Sequence, residues 1–176
     1  MPKYCLCGLR IASDFPLGGA SLVEDEAGAD AAGSHADIRI VAGSVPDRLE
    51  GARGTRFQVA PDGAVRVNIR DVGAFLVEGG RHVTVAAAPG VSEPKLALFL
   101  LGTVFGFLCH QRGLFPLHAS TIEIGGRAFS FAGDSGAGKS TTAAALIELG
   151  HTLLSDDISV IDLSGAQPMI LPANPT

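Results

Sequence analysis

The sequence predicts an α/β nucleotide-binding domain preceded by a β-rich N-terminal region. Three observations carry that expectation. An alternating segment, Arg127 to Ala132, leads into Gly133-Asp134-Ser135-Gly136-Ala137-Gly138-Lys139-Ser140, and a helix-forming run, Thr141 to Leu149, follows it. Short alternating segments separated by turn residues fill the first half of the chain. Between the two lies one almost wholly apolar stretch, Leu96 to Cys109.

Composition sets the frame. The chain has 176 residues, 47% hydrophobic and 18% charged, which is globular rather than disordered material. The net charge of −5 has a local origin: Glu24, Asp25, Glu26, Asp30 and Asp37 lie in a stretch without Lys or Arg. Removing those five from the 18 acids leaves 13, matched by 13 Lys and Arg. No basic tract suggests nucleic acid as a partner. Cys5 and Cys7 stand two apart in a predicted strand, sharing a face, and no second pair follows at zinc spacing. Three reduced cysteines and an N-terminus without a signal-peptide core lead us to expect a cytoplasmic protein.

Tyr4–Ile11 reads as one strand, followed by a turn at Ser13 to Gly19 and an acidic surface loop over 24–37. Strands are then predicted at Asp37–Val41, Thr55–Ala60, Ala64–Ile69, Ala74–Glu78 and His82–Ala87, with hairpin turns at Pro61-Asp62-Gly63 and Gly79-Gly80. We expect an antiparallel unit over 1–91 that serves docking or scaffolding, and a second domain over 92–176. Ser92 can cap a helix beginning near Pro94. At 14 residues its apolar run is too short to cross a bilayer comfortably, so a buried helix is expected, with Gly102 and Gly106 packed closely against a sheet. Strands follow at Leu117–Ile124, turning at Gly125-Gly126, and at residues 127–132. Beyond the helix closed by Gly150 come Thr152–Ser155, ending in Asp156-Asp157, and Ile158–Leu163. The Pro-rich end, Pro168 to Thr176, offers no closing element, and the chain reads as cut short.

Glycine loops between a strand and a helix turn successive N–H groups toward phosphate oxygens, and the helix N-terminus adds partial positive charge. The loop Gly133, Asp134, Ser135, Gly136, Ala137, Gly138, Lys139, Ser140, continued by Thr141, is therefore the candidate nucleotide site. Lys139 would reach the β- and γ-phosphates of ATP and the Ser140 hydroxyl would ligate Mg²⁺. Acids at the end of an apolar strand after such a helix are where phosphate-loop proteins keep a magnesium-binding carboxylate. Adjacent strand residues face opposite ways, so Asp156 and Asp157 should not share one job. A lone histidine such as His118 is ordinarily structural.

Leu117-His118-Ala119-Ser120, the loop Gly133 to Ser140, and Leu154-Ser155-Asp156-Asp157 together resemble the catalytic domain of HPr kinase/phosphorylase and its relatives. Tyr4 to Ile11 with Ser13-Asp14-Phe15-Pro16-Leu17 resembles, more narrowly, the HPr-kinase-like proteins of peptide natural-product maturation, among them kinases of lasso-peptide precursors. The resemblance implies a serine kinase with a fold like phosphoenolpyruvate carboxykinase, using ATP and Mg²⁺. It implies Asp156 as acceptor of the substrate hydroxyl's proton, His118 beside it, and Asp157 as metal-linked, with the two aspartates interchangeable at this level. The acceptor would be a serine on a peptide or small protein, and the relatives form homo-oligomers. Leu117-His118-Ala119-Ser120 replaces the histidine-glycine pair of true HPr kinases, and no further acidic and basic motif follows the paired aspartates. Both departures argue against phosphorylase activity on HPr itself. Two other readings stay open: a non-catalytic nucleotide-binding regulatory module, and a kinase with a small-molecule acceptor.

Overall fold

The computed structural model describes residues 1–18, 20–23 and 36–173. The expected acidic loop therefore falls mostly outside the described residues. The chain forms two compact units, one of Met1–Cys5 and Leu9–Arg112, the other of Leu6–Gly8 and Gly113–Thr176. The helix that follows the change of composition at Pro89-Gly90 thus groups with the residues before it, and contacts divide the chain at Arg112/Gly113.

The first unit is built on an eight-stranded sheet. Its strands are β1 (Lys3–Leu6), β2 (Leu9–Ser13), β3 (Ser21–Val23), β4 (Ile38–Ala42), β5 (Phe57–Val59), β6 (Val65–Ile69), β7 (Gly73–Glu78) and β8 (His82–Ala87), in the order β3-β1-β2-β4-β8-β7-β6-β5. Two expectations are corrected here. The single strand over 4–11 is two strands joined at Cys7-Gly8, both with positive φ (51° and 72°), so Cys7 occupies a turn and shares no strand face with Cys5. The unit is also not wholly antiparallel: β2 pairs with β4, and β4 with β8, in parallel. Both parallel pairs join strands far apart in sequence, whereas the hairpins β5–β6 and β7–β8 fall at the predicted turns.

Period-two alternation produces the core. Val67, Phe75 and Val85 stand directly opposite one another across β6, β7 and β8, and Val65, Val77, Val83 and Ile40 form a second row that reaches β4. All seven are at most 5% exposed. Directly opposed side chains of this kind are the unit of sheet stabilisation.

A continuous helix covers this sheet: α1 (Glu93–Phe99), a π-helical turn (Leu100–Val104) and α2 (Phe105–Gln111). Ser92 occupies the cap position through its backbone, with no side-chain capping bond, and Pro94 lies in the first turn. The buried residues are Leu96, Ala97, Leu100, Val104, Phe105, Leu108 and Cys109, a repeat of four. Such a repeat drifts around a 3.6-residue helix; the wider turn, in which the Phe105 N–H reaches back to Leu100 O, returns it to one face. At the far end Gln111 Nε2 donates to Gly63 O (2.8 Å) and Val77 O (3.1 Å), while its Oε1 accepts from Gly80 N (2.7 Å). Phe107 meets Phe57 of β5 with ring centroids 5.5 Å apart.

The helical run is 19 residues with a mean hydropathy of 1.2, long and apolar enough to cross a membrane by those criteria alone, with 39% of it buried. The length argument from 14 residues therefore fails, and the buried face and the Gln111 anchor are what mark it as a core helix. The close-packing expectation for Gly102 and Gly106 is also overturned: a Cβ on either would meet nothing within 4 Å.

The second unit holds two three-stranded sheets. β9 (Phe115–Leu117), β13 (Ser159–Asp162) and β14 (Met169–Leu171) form one, in the order β14-β13-β9. β10 (Ala119–Ile124), β11 (Arg127–Ala132) and β12 (Thr152–Ser155) form the other, in the order β11-β10-β12, packed with α3 (Lys139–Glu148). The Pro-rich end does contribute an element, because β14 pairs antiparallel with β13. Gly150, at φ 93°, turns the chain out of α3 as expected.

Candidate functional site

Every residue of the candidate site lies in the second unit. β10 and β11 form a hairpin in which Ala119 stands opposite Ala132, so the histidine-bearing entry to β10 and the exit of β11 into the glycine loop sit at one end of the sheet. The predicted strand over 117–124 is interrupted at His118, which lies between β9 and β10.

Loop residues 133–138 connect β11 to α3. Gly136 and Gly138 have φ of 83° and 88°, a left-handed geometry that strains any residue with a Cβ. Gly138 is also the N-cap of α3, and its carbonyl receives Thr142 N at 2.8 Å. A Cβ on Gly133 would lie 3.2 Å from that of Ala137, so the loop is tight there. Lys139 Nζ turns back onto the loop and donates to Gly133 O (2.9 Å) and Asp134 O (3.1 Å). Ala137 N closes the loop on Asp134 O at 3.1 Å, while Ser135 and Thr141 are exposed along it.

Asp156 and Asp157 follow directly on β12, outside the strand, so strand alternation does not set their directions, and they have different surroundings. Asp156 Oδ1 accepts from two hydroxyls, Ser140 Oγ at 3.2 Å and Ser120 Oγ. Asp157 adopts φ 70°, a left-handed conformation that aspartate tolerates better than most residues. Its main-chain oxygen lies 2.8 Å from His118 Nδ1. A carbonyl oxygen only accepts, so Nδ1 carries a proton, and in the tautomer with that single ring proton Nε2 is an acceptor. His118 is thus held by the backbone of Asp157, while Asp156 is held by two serines.

Sequence reasoning missed Ser120 and the buried hydroxyls behind it. Thr121, Ser155 and Ser159 are at most 2% exposed and form one connected set. Ser159 Oγ donates to Ala119 O (3.1 Å), which spends its single proton. Thr121 (2.6 Å) and Ser155 (2.7 Å) must therefore donate to Ser159. Thr121, its own proton used, accepts from Ser130 at 2.8 Å. Hydroxyl residues on consecutive positions of an apolar strand, Ser120-Thr121, were the available signal. They point to opposite faces, one toward Asp156 and the other into this network.

The donor set can hold a magnesium–nucleotide complex. Ser140 Oγ and Asp156 Oδ1 are hard oxygens 3.2 Å apart, close to the roughly 2.9 Å between adjacent ligands of an octahedral Mg²⁺. Among the described residues no three His, Cys, Asp or Glu side chains group to hold a metal. Mg²⁺ does not require one, since it is usually held by one or two carboxylates together with substrate phosphates and water.

Comparison with known proteins gives partial matches of one kind. The chain is 34% identical over 101 residues to HPr kinase/phosphorylase of Enterococcus faecalis, covering 52% of this chain and 32% of the relative. It is 43% identical over 54 residues to that of Treponema pallidum (31% of this chain, 17% of the relative). It is 41% identical over 71 residues to that of Pelodictyon phaeoclathratiforme (40% and 21%). The matched stretches thus span a third or less of these relatives' lengths. No family model and no solved structure matches the chain.

Proposed function

We propose, from this partial similarity to HPr kinase/phosphorylases and from the site's geometry, that the second unit belongs to an ATP- and Mg²⁺-dependent kinase. Its acceptor is a serine hydroxyl on a precursor peptide or small protein, as for the kinases of lasso-peptide maturation, and it works in the cytoplasm, where ATP is plentiful. The observation that carries the reading is the meeting of Ser140 and Asp156 at the start of the helix that follows a tight glycine loop. Bound Mg·ATP would supply the phosphoryl group and neutralise its developing charge.

The chain's own residues do the positioning. Gly136 and Gly138 let the backbone curve around phosphates, and Lys139 exchanges its two carbonyl partners for phosphate oxygens. Ser120 fixes the carboxylate of Asp156 beside Ser140, which favours Asp156 as the metal-linked acid, the exchanged assignment of the two aspartates. Asp157 orients His118 through its carbonyl, leaving Nε2 to take or relay the proton of the acceptor hydroxyl, with the Asp157 carboxylate as the alternative base. Phosphoryl transfer asks for little more than such alignment.

The test offers the protein Mg·ATP with a serine-terminated peptide and, separately, with an HPr-like protein, and follows intact mass. We expect one added phosphate on the peptide, lost in Lys139→Ala. Nucleotide binding without any phosphorylated product on either acceptor would refute the kinase reading in favour of a regulatory module.

A further inference from the structure

The first unit carries a concentration of positive charge that the kinase reading does not use. Arg10 opens β2, Arg39 lies at the start of β4, and Arg81 and His82 lie at the start of β8. Because β2, β4 and β8 are neighbours running in parallel, these strand starts share one end of the sheet, with Arg39 directly opposite His82. Neighbouring strands are about 4.8 Å apart, so the three arginines spread over roughly 10 Å. A fourth comes from the end of α2. Arg112 lies across the β7–β8 turn with an Nη1–H to Gly80 O at 2.9 Å, and a Cβ on Gly80 would lie 2.7 Å from its Cγ. Glycine at that turn is what admits the arginine.

These residues line one open cavity of about 380 Å³, together with Ala36 and Asp37. Among the described residues the lining holds four arginines against one aspartate, a formal charge of +3 in a chain whose net charge is −5. Asp37 engages Arg10, at 3.6 Å from its Nε and 2.8 Å from its backbone N. The guanidinium groups of Arg39 and Arg81 make no hydrogen bond or ion pair among the described residues. Like charges held side by side repel, and a bound anion relieves that repulsion.

We infer that this cavity is a docking site for a carboxylate-rich peptide segment. Planar guanidinium forks match carboxylates in pairs. Their spread decides against one compact ion: acidic side chains on alternate residues of an extended peptide recur every ~6.8 Å, so two or three of them span the row from Arg10 to Arg81.

The test uses the whole chain without nucleotide, so its outcome is independent of phosphoryl transfer. A fluorescein-labelled peptide of alternating Glu and Ser, and its Gln counterpart, are titrated by fluorescence anisotropy at low salt. The Glu peptide should bind and the Gln peptide should not. Arg39→Gln/Arg81→Gln should raise Kd about tenfold, while Arg53→Gln/Arg70→Gln, which removes the same charge elsewhere, should leave it unchanged. Should the Gln pair fail to fold, Arg39→Lys/Arg81→Lys keeps the charge without the fork and should still weaken binding. Equal binding of both peptides, or indifference to Arg39 and Arg81, would overturn the assignment. So would a cavity that binds inorganic tripolyphosphate but not the Glu peptide, which would make it a small-polyphosphate site.

Discussion

Replacing Ser159 by alanine removes one oxygen, yet it should cost the second unit far more than replacing Thr121 by valine. The difference follows from which groups are orphaned. Ser159 accepts from Thr121 and Ser155 and donates to Ala119 O. Without it Thr121 can turn its proton toward Ser130, which lies 2.8 Å away, but Ser155 is 2% exposed and has no other side-chain partner among the described residues. A buried donor left unsatisfied costs about 1–3 kcal/mol, and the lost bond to Ala119 O adds about 1, so Ser159→Ala should cost roughly 3 kcal/mol. In Thr121→Val, Ser159 still receives Ser155 and still donates to Ala119 O, while the exposed Ser130 turns to water. That change should cost at most about 1.5 kcal/mol. Urea unfolding followed by circular dichroism would measure both, with amide exchange in β10 and β13 assigning the transition to this unit. Equal costs, within about 0.5 kcal/mol, would refute the deduced direction of the hydroxyl chain.

Three further outcomes are expected. Lys139→Ala should weaken ATP binding only moderately, ~30-fold or about 2 kcal/mol, because the lost charged bonds to phosphate are partly offset by the two carbonyl bonds that need not break; isothermal titration would show it. Gly106→Ala, whose methyl meets nothing within 4 Å, should raise stability by about 0.5–1 kcal/mol in a thermal melt, whereas a hidden packing contact would make it destabilising. Burial pushes the Cys109 thiol up to about 12, with Arg112 partly opposing, so the native protein should leave it unmodified by thiol reagents at neutral pH. The same shift means that the folded state holds a proton which the unfolded chain releases. Stability should be undiminished below pH 9 and fall above it by up to about 1.4 kcal/mol per pH unit toward 12, as unfolding at stepped alkaline pH would reveal.

Much of the local structure was legible in the residues. Pro61-Asp62-Gly63, Gly79-Gly80 and Gly125-Gly126 all mark real hairpins, and the run from Arg127 to Gly150 folds as strand, loop and helix. What could not be read was long-range. Nothing in Ile38–Ala42 says that it will lie parallel to both β2 and β8, because hydrogen-bonding backbone is the same in either direction and the choice rests on distant connections. The Cys7-Gly8 turn is not legible because cysteine rarely adopts positive φ, so the alternation of Tyr4–Ile11 reads straight through it. At the site, His118, the glycine loop and the aspartates were visible as motifs, but the pairing of each aspartate was not. Which acid meets Ser140 depends on how β12 sits against β10, where the register shifts between Thr121 and Ile122.

The π-helical turn at Leu100–Val104 has a consequence for how this helix tolerates insertions and deletions. One residue more than an α-turn is accommodated there, so removing Thr103 would restore an ordinary helix at no local backbone cost. It would also leave the two ends of the helix in phase, because the wide turn absorbs the roughly 100° that one extra residue would otherwise add. A deletion within α1 or α2, with the wide turn kept, would instead swing Gln111 away from the carbonyls of Gly63 and Val77 and carry Arg112 from its place over Gly80. The wide turn is therefore the one place in this helix where a residue can be lost without unfastening it from the sheet.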